Sequence, residues 1–321
     1  MTGYLLRRVV FLILSFALAM LVIFVLLRAL PGDPANALLG ADATDEQIAA
    51  ARAQVGSDQP VLAQLFGWIG DITRLHLGQS FVGGYSVLPE IVNRLTVTLP
   101  LTLVSFLISV VAAALIGYLA AVRSESFVGV AISGLSQIGI AVPVFWVGIL
   151  LVWIFALEAG WFPSGGFPSD GWSTPADVVS SLVLPVATIV IVMTASLVRY
   201  VRAATLDVLD SDYMRNARAL GAGRWEAFLR HGLRNASVPV ISMLGIELAS
   251  TLLGAVVVES VFSLPGLGSM LTKAIAQHDY PSIQGVLVVT TFLVLMIGFL
   301  ADIAQRIIDP RLRSSLSGAH S

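Results

Sequence analysis

The 321-residue sequence contains no cysteine and only one lysine, Lys273. Without cysteine it can form neither a disulfide bond nor a thiolate metal site. The four histidines are scattered along the chain, and none pairs with another at a ligand spacing. We therefore expect no metal site.

Motifs for common catalytic and nucleotide-binding sites are missing as well. A phosphate-binding loop requires Gly-Lys-Ser or Gly-Lys-Thr, but Lys273 follows Thr272. The sequence has no H-E-x-x-H and no G-x-S-x-G. We expect no catalytic residue and no cofactor in this chain.

Charge is scarce too, and this scarcity excludes a soluble fold. Only 12% of the residues are charged, whereas 57% are hydrophobic, and the mean hydropathy is +0.89. Soluble domains carry about 25% charged residues. A water-exposed surface could not be built from this composition, so the sequence predicts a membrane protein.

Six apolar stretches are long enough to cross a bilayer, which requires about 20 helical residues. Each must be helical, because lipid offers no hydrogen bonds to an open backbone. The sequence therefore predicts an all-α, polytopic membrane protein with six transmembrane helices. The stretches are Val9–Leu27, Leu95–Val122, Ser126–Leu157, Val178–Val198, Asn235–Val261 and Tyr280–Ala301. Pro143 and Pro185 are expected to bend their helices.

The first stretch has an alternative interpretation. Arg7 and Arg8, the apolar run and the small residues Ala35-Asn36-Ala37 could form a cleaved signal peptide. The apolar run is longer than a usual signal core, and Pro31 and Asp33 separate it from the small residues. We therefore favour a retained anchor helix.

The arginines indicate the orientation of the chain. With both termini in the cytoplasm, thirteen of the 18 basic residues fall in cytoplasmic segments, as the positive-inside rule requires. This orientation makes 31–94 a long extracytoplasmic loop and 199–234 a basic cytoplasmic loop. In the outer loop, Thr44 and Gln47 form the pattern of a capping box, and Pro60 suits the first turn of a second short helix.

The cytoplasmic loop contains a short amphipathic pattern. Tyr213, Ala217 and Leu220 recur at helical spacing and predict an apolar stripe. Ser211 or Asp212 can cap this helix, and Gly221-Ala222-Gly223 ends it. A positive-inside loop explains the arginines but not the stripe, and an exposed apolar stripe is typical of a helix that docks in a partner's groove.

This segment resembles the coupling-loop signature of ABC importer permeases, E-A-A-x-x-x-G. Arg215-Asn216-Ala217 replaces E-A-A, and Gly221 supplies the glycine. The variant D-Y-x-R-x-A-R-A-x-G followed by H-x-L-R-N-A-x-x-P-V is similar to the peptide, opine and nickel permease family. Here the two parts run from Asp212 to Gly221 and from His231 to Val240.

Shorter segments extend the resemblance along nearly the whole chain, and their order makes it specific. The first span followed by a long outer loop resembles the B-type subunit of oligopeptide and dipeptide importers. The matching segments are Leu30–Pro34, Leu77–Ser80, Pro143–Trp146, Gly254–Glu259, Pro265–Gly268 and Asp309–Arg313.

The resemblance implies a type I ABC importer permease fold in the bacterial inner membrane. It implies four kinds of partner: a second homologous permease, two cytoplasmic ATPase subunits that bind ATP and magnesium, an extracytoplasmic substrate-binding protein, and membrane lipid. No nucleic acid is expected. The implied substrate is a di- or oligopeptide, with nickel chelates, opines or glutathione as alternatives on the same architecture.

The resemblance also assigns the loop to ATPase coupling. The coupling residues would be Tyr213, Arg215, Ala217, Arg218, Ala219, Leu220, Gly221, Ala222 and Gly223. Contacts to the binding protein would come from Gln79, Ser80, Pro265, Gly266, Leu267 and Gly268. An inert lid is the alternative for this outer region.

Two acids in the fifth stretch are candidates for the transport pathway or its gate. Glu247 lies near mid-membrane, where an ionisable group is costly and usually faces a cavity or partner. Ser250, Thr251 and Gly254 share its helix face, although packing at a helix interface is the alternative. Glu259 lies near the outer end of the span, where an interfacial carboxylate is cheap, and it is kept as a gate or docking candidate.

Three linear parts follow from these patterns: an anchor and outer loop over 1–94, a permease core over 95–308 with the coupling loop at 199–235, and a cytoplasmic tail over 309–321. A secondary transporter working alone and a membrane scaffold are the competing functions. The first would rely on intramembrane ion sites, and the predicted spans other than the fifth are almost uncharged. Co-purification with two ATPases and a sister permease would separate these functions.

The topology can be tested with single cysteines, since the chain has none of its own. A cysteine at Asp58, in the predicted outer loop, should react with an impermeant maleimide added outside intact cells. A cysteine at Glu226, in the basic loop, should react only after the membrane is opened. Labelling of Asp58→Cys from the cytoplasmic side alone would contradict the orientation.

Overall fold

The computed structural model describes residues 2–29, 44–55 and 58–308, and these are helical apart from turns and connections. A single antiparallel bridge between Gln79 and Ser86 is the only β pairing within them. The helices are α1 Thr2–Ala29, α2 Asp45–Val55, α3 Val61–Thr73, α4 Val87–Val122, α5 Phe127–Ala141, α6 Val144–Leu151, α7 Pro175–Leu209, α8 Asp212–Ala219, α9 Arg224–Ala227, α10 Leu233–Val261, α11 Leu267–Ala276 and α12 Tyr280–Ile308.

Five helical segments of the described chain are long and apolar enough to cross a membrane: Gly3–Ala29, Val87–Val122, Pro175–Leu209, Arg224–Val261 and Tyr280–Ile308. Each contains one predicted stretch. The third stretch, Ser126–Leu157, is the exception, because it folds as α5 and α6 with a bend of 101° between them. Counting the bent pair as one span gives six, so the all-α polytopic fold is confirmed.

Proline chemistry explains the break in the third stretch. Pro143 has no backbone N–H and disfavours helical geometry in the residue before it. Accordingly α5 ends at Ala141, and the N–H of Val142 still bonds to the carbonyl of Ile138 at 3.1 Å. The expected bend at Pro143 is confirmed, whereas Pro185 lies inside the uninterrupted α7. A π-helical turn, Val152–Glu158, follows α6.

The chain packs as two compact units, which cut across the linear division proposed from the sequence. The first, here called the N-terminal unit, comprises 1–98 and 265–296; the second, called the core unit, comprises 99–264 and 297–321. In the N-terminal unit, α1 packs against α3, α11 and α12 through Met20, Ile23 and Leu27. The predicted outer-loop helices are present here as α2 and α3.

Two predicted helix starts in this unit can be checked in detail. Thr44 and Gln47 form the capping box: the Gln47 N–H donates to Thr44 Oγ1 at 3.3 Å, and the Thr44 N–H donates to Gln47 Oε1 at 2.9 Å. Pro60 is the N-cap of α3, one residue before the first turn. The segments Leu30–Pro34 and Asp309–Arg313, and the predicted tail, lie outside the described residues.

In the core unit, α7 is the central helix and packs against α5, α6 and α10. Small residues allow a close approach of α5 and α7, as is usual between membrane helices. A Cβ atom on Gly139 would lie 2.6 Å from the Cβ of Ala195. Helix α10 continues from α9 through a π turn at Phe228–Gly232, so the basic connection runs directly into a span.

Candidate functional site: an α7–α10 cavity and a glycine corner

Helices α5, α6, α7 and α10 line a partly open cavity of ≈ 320 Å³ in the core unit. Glu247, Ser250, Thr251 and Gly254 line it together, as their shared helix face predicts. The α7 side contributes Met193 and Ser196, and the remaining lining is mostly aliphatic. The structure thus brings four of the five pathway candidates to one cavity; their role in transport stays a prediction.

Glu247 has a polar partner across the cavity wall. The Ser196 hydroxyl donates to its Oε1 at 2.6 Å. The Thr251 hydroxyl donates to the backbone carbonyl of Glu247 at 2.7 Å, and therefore does not serve the carboxylate. Ser196 was not identified from the sequence, because nothing in the α7 pattern marks one serine as the partner of an acid 51 residues away.

Glu259 departs from expectation. The sequence placed it at a membrane interface, where its carboxylate would meet water, but its side chain is fully buried. It therefore offers no docking surface. Its neighbour in sequence, Phe262, accepts a hydrogen bond from the Gly166 N–H at 2.8 Å through its carbonyl, so a loop covers this end of α10.

The basic connection forms a helix and a sharp corner, as predicted. Helix α8 spans Asp212–Ala219, and Gly221 has a φ of +94°, which strongly favours glycine. Ser211 is the N-cap residue, but the expected side-chain cap is wrong. Its hydroxyl donates instead to the carbonyl of Val208 at 2.5 Å, on the preceding helix.

The buried face of α8 differs from the predicted stripe. Met214 is fully buried in a cluster with Val208, Phe228 and Ala236, and Ala217 packs against that cluster. Leu220 is 90% exposed and Tyr213 is 40% exposed. Met214 therefore anchors the helix to its own chain, whereas Leu220 projects beside the glycine corner.

The other predicted coupling residues lie on the outside of this corner. Arg215 donates to the carbonyl of Asp210 at 3.0 Å and lies 3.6 Å from Asp212 in an exposed ion pair. Arg218, Ala219 and Gly223 are exposed, and Ala222 packs against the Met214 cluster. The Asn235 amide donates to the Tyr213 hydroxyl at 3.1 Å, which joins the two halves of the signature directly.

Three aromatic rings pack together next to the glycine corner. Tyr118 of α4 lies 4.7 Å from Trp225 and 4.8 Å from Phe228, measured between ring centroids. Trp225 and Phe228 stack at 6.4 Å. Such pairs stabilise packing beyond the area that they bury, so the start of α10 is fixed to α4 in the core unit.

The predicted binding-protein contacts lie in the N-terminal unit, and most of them are buried. Gln79 is exposed and Pro265 is partly exposed, whereas Ser80, Gly266, Leu267 and Gly268 are buried. The Leu267 N–H donates to Thr98 Oγ1 at 2.9 Å, which pins the start of α11. A docking role in this set is left to Gln79 and Pro265.

Ser80 binds a buried acid that directly precedes the last predicted span, Tyr280–Ala301. Asp279 is 2% exposed. Its Oδ2 accepts from the Ser80 hydroxyl at 2.6 Å, and its Oδ1 accepts from the Phe81 N–H at 2.9 Å. The Gly83 N–H in turn donates to Ser80 Oγ at 2.8 Å. The carboxylate thereby fixes the 80–83 turn against the start of α12.

The described residues contain five helices, or six with the bent pair, that are long and apolar enough to cross a membrane, which defines a polytopic membrane protein. Profiles of known families agree. The binding-protein-dependent transport system inner membrane component matches residues 113–314, and the N-terminal region of such components matches 1–102. The chain belongs to this family and is a permease subunit of ABC importers.

Two relatives and one solved structure illustrate the similarity. A protein of Sinorhizobium fredii, named as a peptide ABC transporter permease, is 38% identical over 310 residues, covering 97% of this chain and 99% of that protein. The glutathione transport system permease GsiC of Escherichia coli is 34% identical over 313 residues, covering 98% and 99%. The inward-facing MetNI methionine ABC transporter has the same fold, with a TM-score of 0.57 and 19% identity over 68% of this chain and 96% of that one.

The two faces of α8 predict opposite effects of truncation. Met214→Ala should lower the stability of the purified permease by about 2–5 kcal/mol, because it empties a filled core position. Leu220→Ala should change stability by no more than about 0.5 kcal/mol, as expected for an exposed side chain. Thermal unfolding in detergent compares the two variants; a larger loss for Leu220→Ala would contradict the burial pattern.

The Asp279 contacts predict a second pair of outcomes. Asp279→Ala leaves two donors without an acceptor, and each unsatisfied buried group costs about 1–3 kcal/mol. The variant should therefore unfold at a clearly lower temperature and be cleaved faster by protease within 80–83. Asp58→Ala, at an exposed position, is the control and should behave as wild type. Equal stability of Asp279→Ala and Asp58→Ala would show that the hydrogen bonds to Asp279 do not stabilise the fold.

Proposed function

We propose that this chain forms, with a second homologous permease, the translocation pathway of an ATP-driven importer of di- or oligopeptides. An extracytoplasmic binding protein delivers the peptide, and two cytoplasmic ATPases hydrolyse ATP with magnesium. Both termini lie in the cytoplasm in this proposal. The peptide substrate is supported by the relatives, since one is named for peptide transport and another for transport of the tripeptide glutathione.

The observation that carries the proposal is the geometry of α8 and its corner. Leu220 is 90% exposed next to a glycine at φ +94°, while Met214 anchors the same helix to the chain. An exposed leucine beside a fixed backbone suits insertion into an apolar groove of a partner. Force applied to α8 would pass to α7 and α10 through Val208, Phe228 and Ala236.

Charge around the corner fits a partner surface with acidic or polar edges. Arg215, Arg218 and Arg224 are all exposed near Leu220. Arginine pairs readily with carboxylates at the edge of an interface, where it guides association more than it adds affinity. Hydrolysis must take place on that partner in this proposal, because the chain has no phosphate-binding loop.

Substitutions at the corner test the coupling. Leu220→Asp should abolish the stimulation of ATPase activity by the loaded binding protein, because truncating a buried interface anchor typically costs about 2 kcal/mol or more and a charge costs further. Gly221→Val should have the same effect, since a side chain at that φ costs about 1–3 kcal/mol. Membrane insertion should be normal in both variants.

Two controls separate coupling from general damage. Gly134→Val introduces the same side chain in α5, outside the coupling loop, where a Cβ meets nothing within 4 Å. Arg224→Ala removes one edge charge. Both should retain most of the stimulation in the reconstituted importer. Full stimulation of ATPase activity in Leu220→Asp and Gly221→Val would show that the glycine corner does not couple the ATPases to transport.

A further inference from the structure

The cavity between α7 and α10 contains one ionisable group. Among the described residues that line it, Glu247 is the only one that can carry a charge. The aliphatic lining includes Ile140, Ile189 and Val258. These side chains offer the Glu247 carboxyl no hydrogen bonds in place of those from water. An ionisable side chain inside a membrane span usually faces a cavity or pairs with an opposite charge.

Two of the three hydroxyls that line the cavity donate to Glu247, and the third belongs to Ser250. Ser196 already donates to Glu247 Oε1 at 2.6 Å, and Thr251 donates to the Glu247 carbonyl at 2.7 Å. A carboxylate has about four acceptor positions, and a single hydroxyl fills one of them. Among the described residues, the lining therefore offers a carboxyl group with acceptor positions to spare and no cationic side chain.

We propose that Glu247 selects the ammonium group of the transported ligand, so that this part of the pathway admits cationic ends and opposes anionic ones. The inference rests on the proposed transport function. An ammonium group brings three N–H donors and the opposite charge, which match a carboxylate. A ligand carboxylate at the same place would meet a like charge, and among the described lining residues only the Ser250 hydroxyl could donate to it.

The size of the cavity suits this role. A volume of ≈ 320 Å³ lies at the small end of ligand sites, which span roughly 300–1,000 Å³. It would hold an amino-terminal residue rather than a whole oligopeptide. Such a site would recognise the free amino end, which all unblocked peptides share. It would not contact the side chains that follow.

Cysteine chemistry measures the selectivity without knowledge of the ligand. Ser250→Cys places the only thiol of the chain on the cavity wall, one helical turn from Glu247. Reaction rates are measured in proteoliposomes of the complete importer, with and without ATP. The probes are a cationic trimethylammonium methanethiosulfonate and an anionic sulfonate analogue. Asp58→Cys, outside the cavity, gives the intrinsic rate ratio of the reagents.

The ratio of cationic to anionic rates at Ser250→Cys should exceed that at Asp58→Cys, and Glu247→Gln should reduce it by about tenfold, as expected for loss of a nearby charge in a weakly polar site. An unchanged ratio in Glu247→Gln overturns the inference. Failure of Ser250→Cys to react in every nucleotide state, while Asp58→Cys reacts, also overturns it, because packed protein would then fill the site.

Uptake provides the second readout. Trialanine and N-acetyl-trialanine are compared in wild type and Glu247→Gln, and the ratio between variants cancels the preference of the binding protein itself. Glu247→Gln should reduce the preference for the free amino end by about tenfold. An equal loss for both peptides indicates a packing role and overturns the inference. No ATP-driven uptake of either peptide by wild type, with the thiol ratios as expected, would refute the peptide importer while leaving the cation selectivity in place.

Discussion

Hydrocarbon solvates neither amide groups nor charges, and this constraint governs the structure at every scale. It forces the apolar stretches into helices. It also dictates how the one broken stretch is tolerated: Pro143 lacks an N–H to lose, and the adjacent Val142 N–H keeps a partner in Ile138. Acids obey the same rule, since Glu247 is met by Ser196 and Asp279 by Ser80 and Phe81. Each of these two acids therefore has a specific neighbour that stabilises it.

Helix α8 illustrates how packing can hold a short element in place. Eight residues are too few for a stable helix in water, so packing must hold α8 in place. Met214 supplies that packing, and the rings of Tyr118, Trp225 and Phe228 brace the start of α10 below it. Leu220 can then be exposed without loss of order, because the backbone that carries it is fixed by other residues.

Much of the fold could be predicted from the sequence, because the signals are local. Hydropathy located the spans, and Thr44, Gln47 and Gly221 marked helix ends through their own chemistry. The buried face of α8 could not be predicted in this way. The sequence predicted a stripe of Tyr213, Ala217 and Leu220, but only Ala217 of these faces the core, beside Met214. The face that is buried depends on Phe228 and Ala236, which lie beyond the corner in the chain.

For the two acids of α10 as well, the sequence pattern does not show which face of the helix is buried. Hydropathy reports how deep a residue lies in a span, but not which side of the helix it occupies. Glu247 and Glu259 are twelve residues apart, and at 3.6 residues per turn their side chains point roughly 120° apart. One therefore lines a cavity beside Ser196, while the other is enclosed by its own chain. A single helix can therefore carry one acid that faces a cavity and another that packs within the chain.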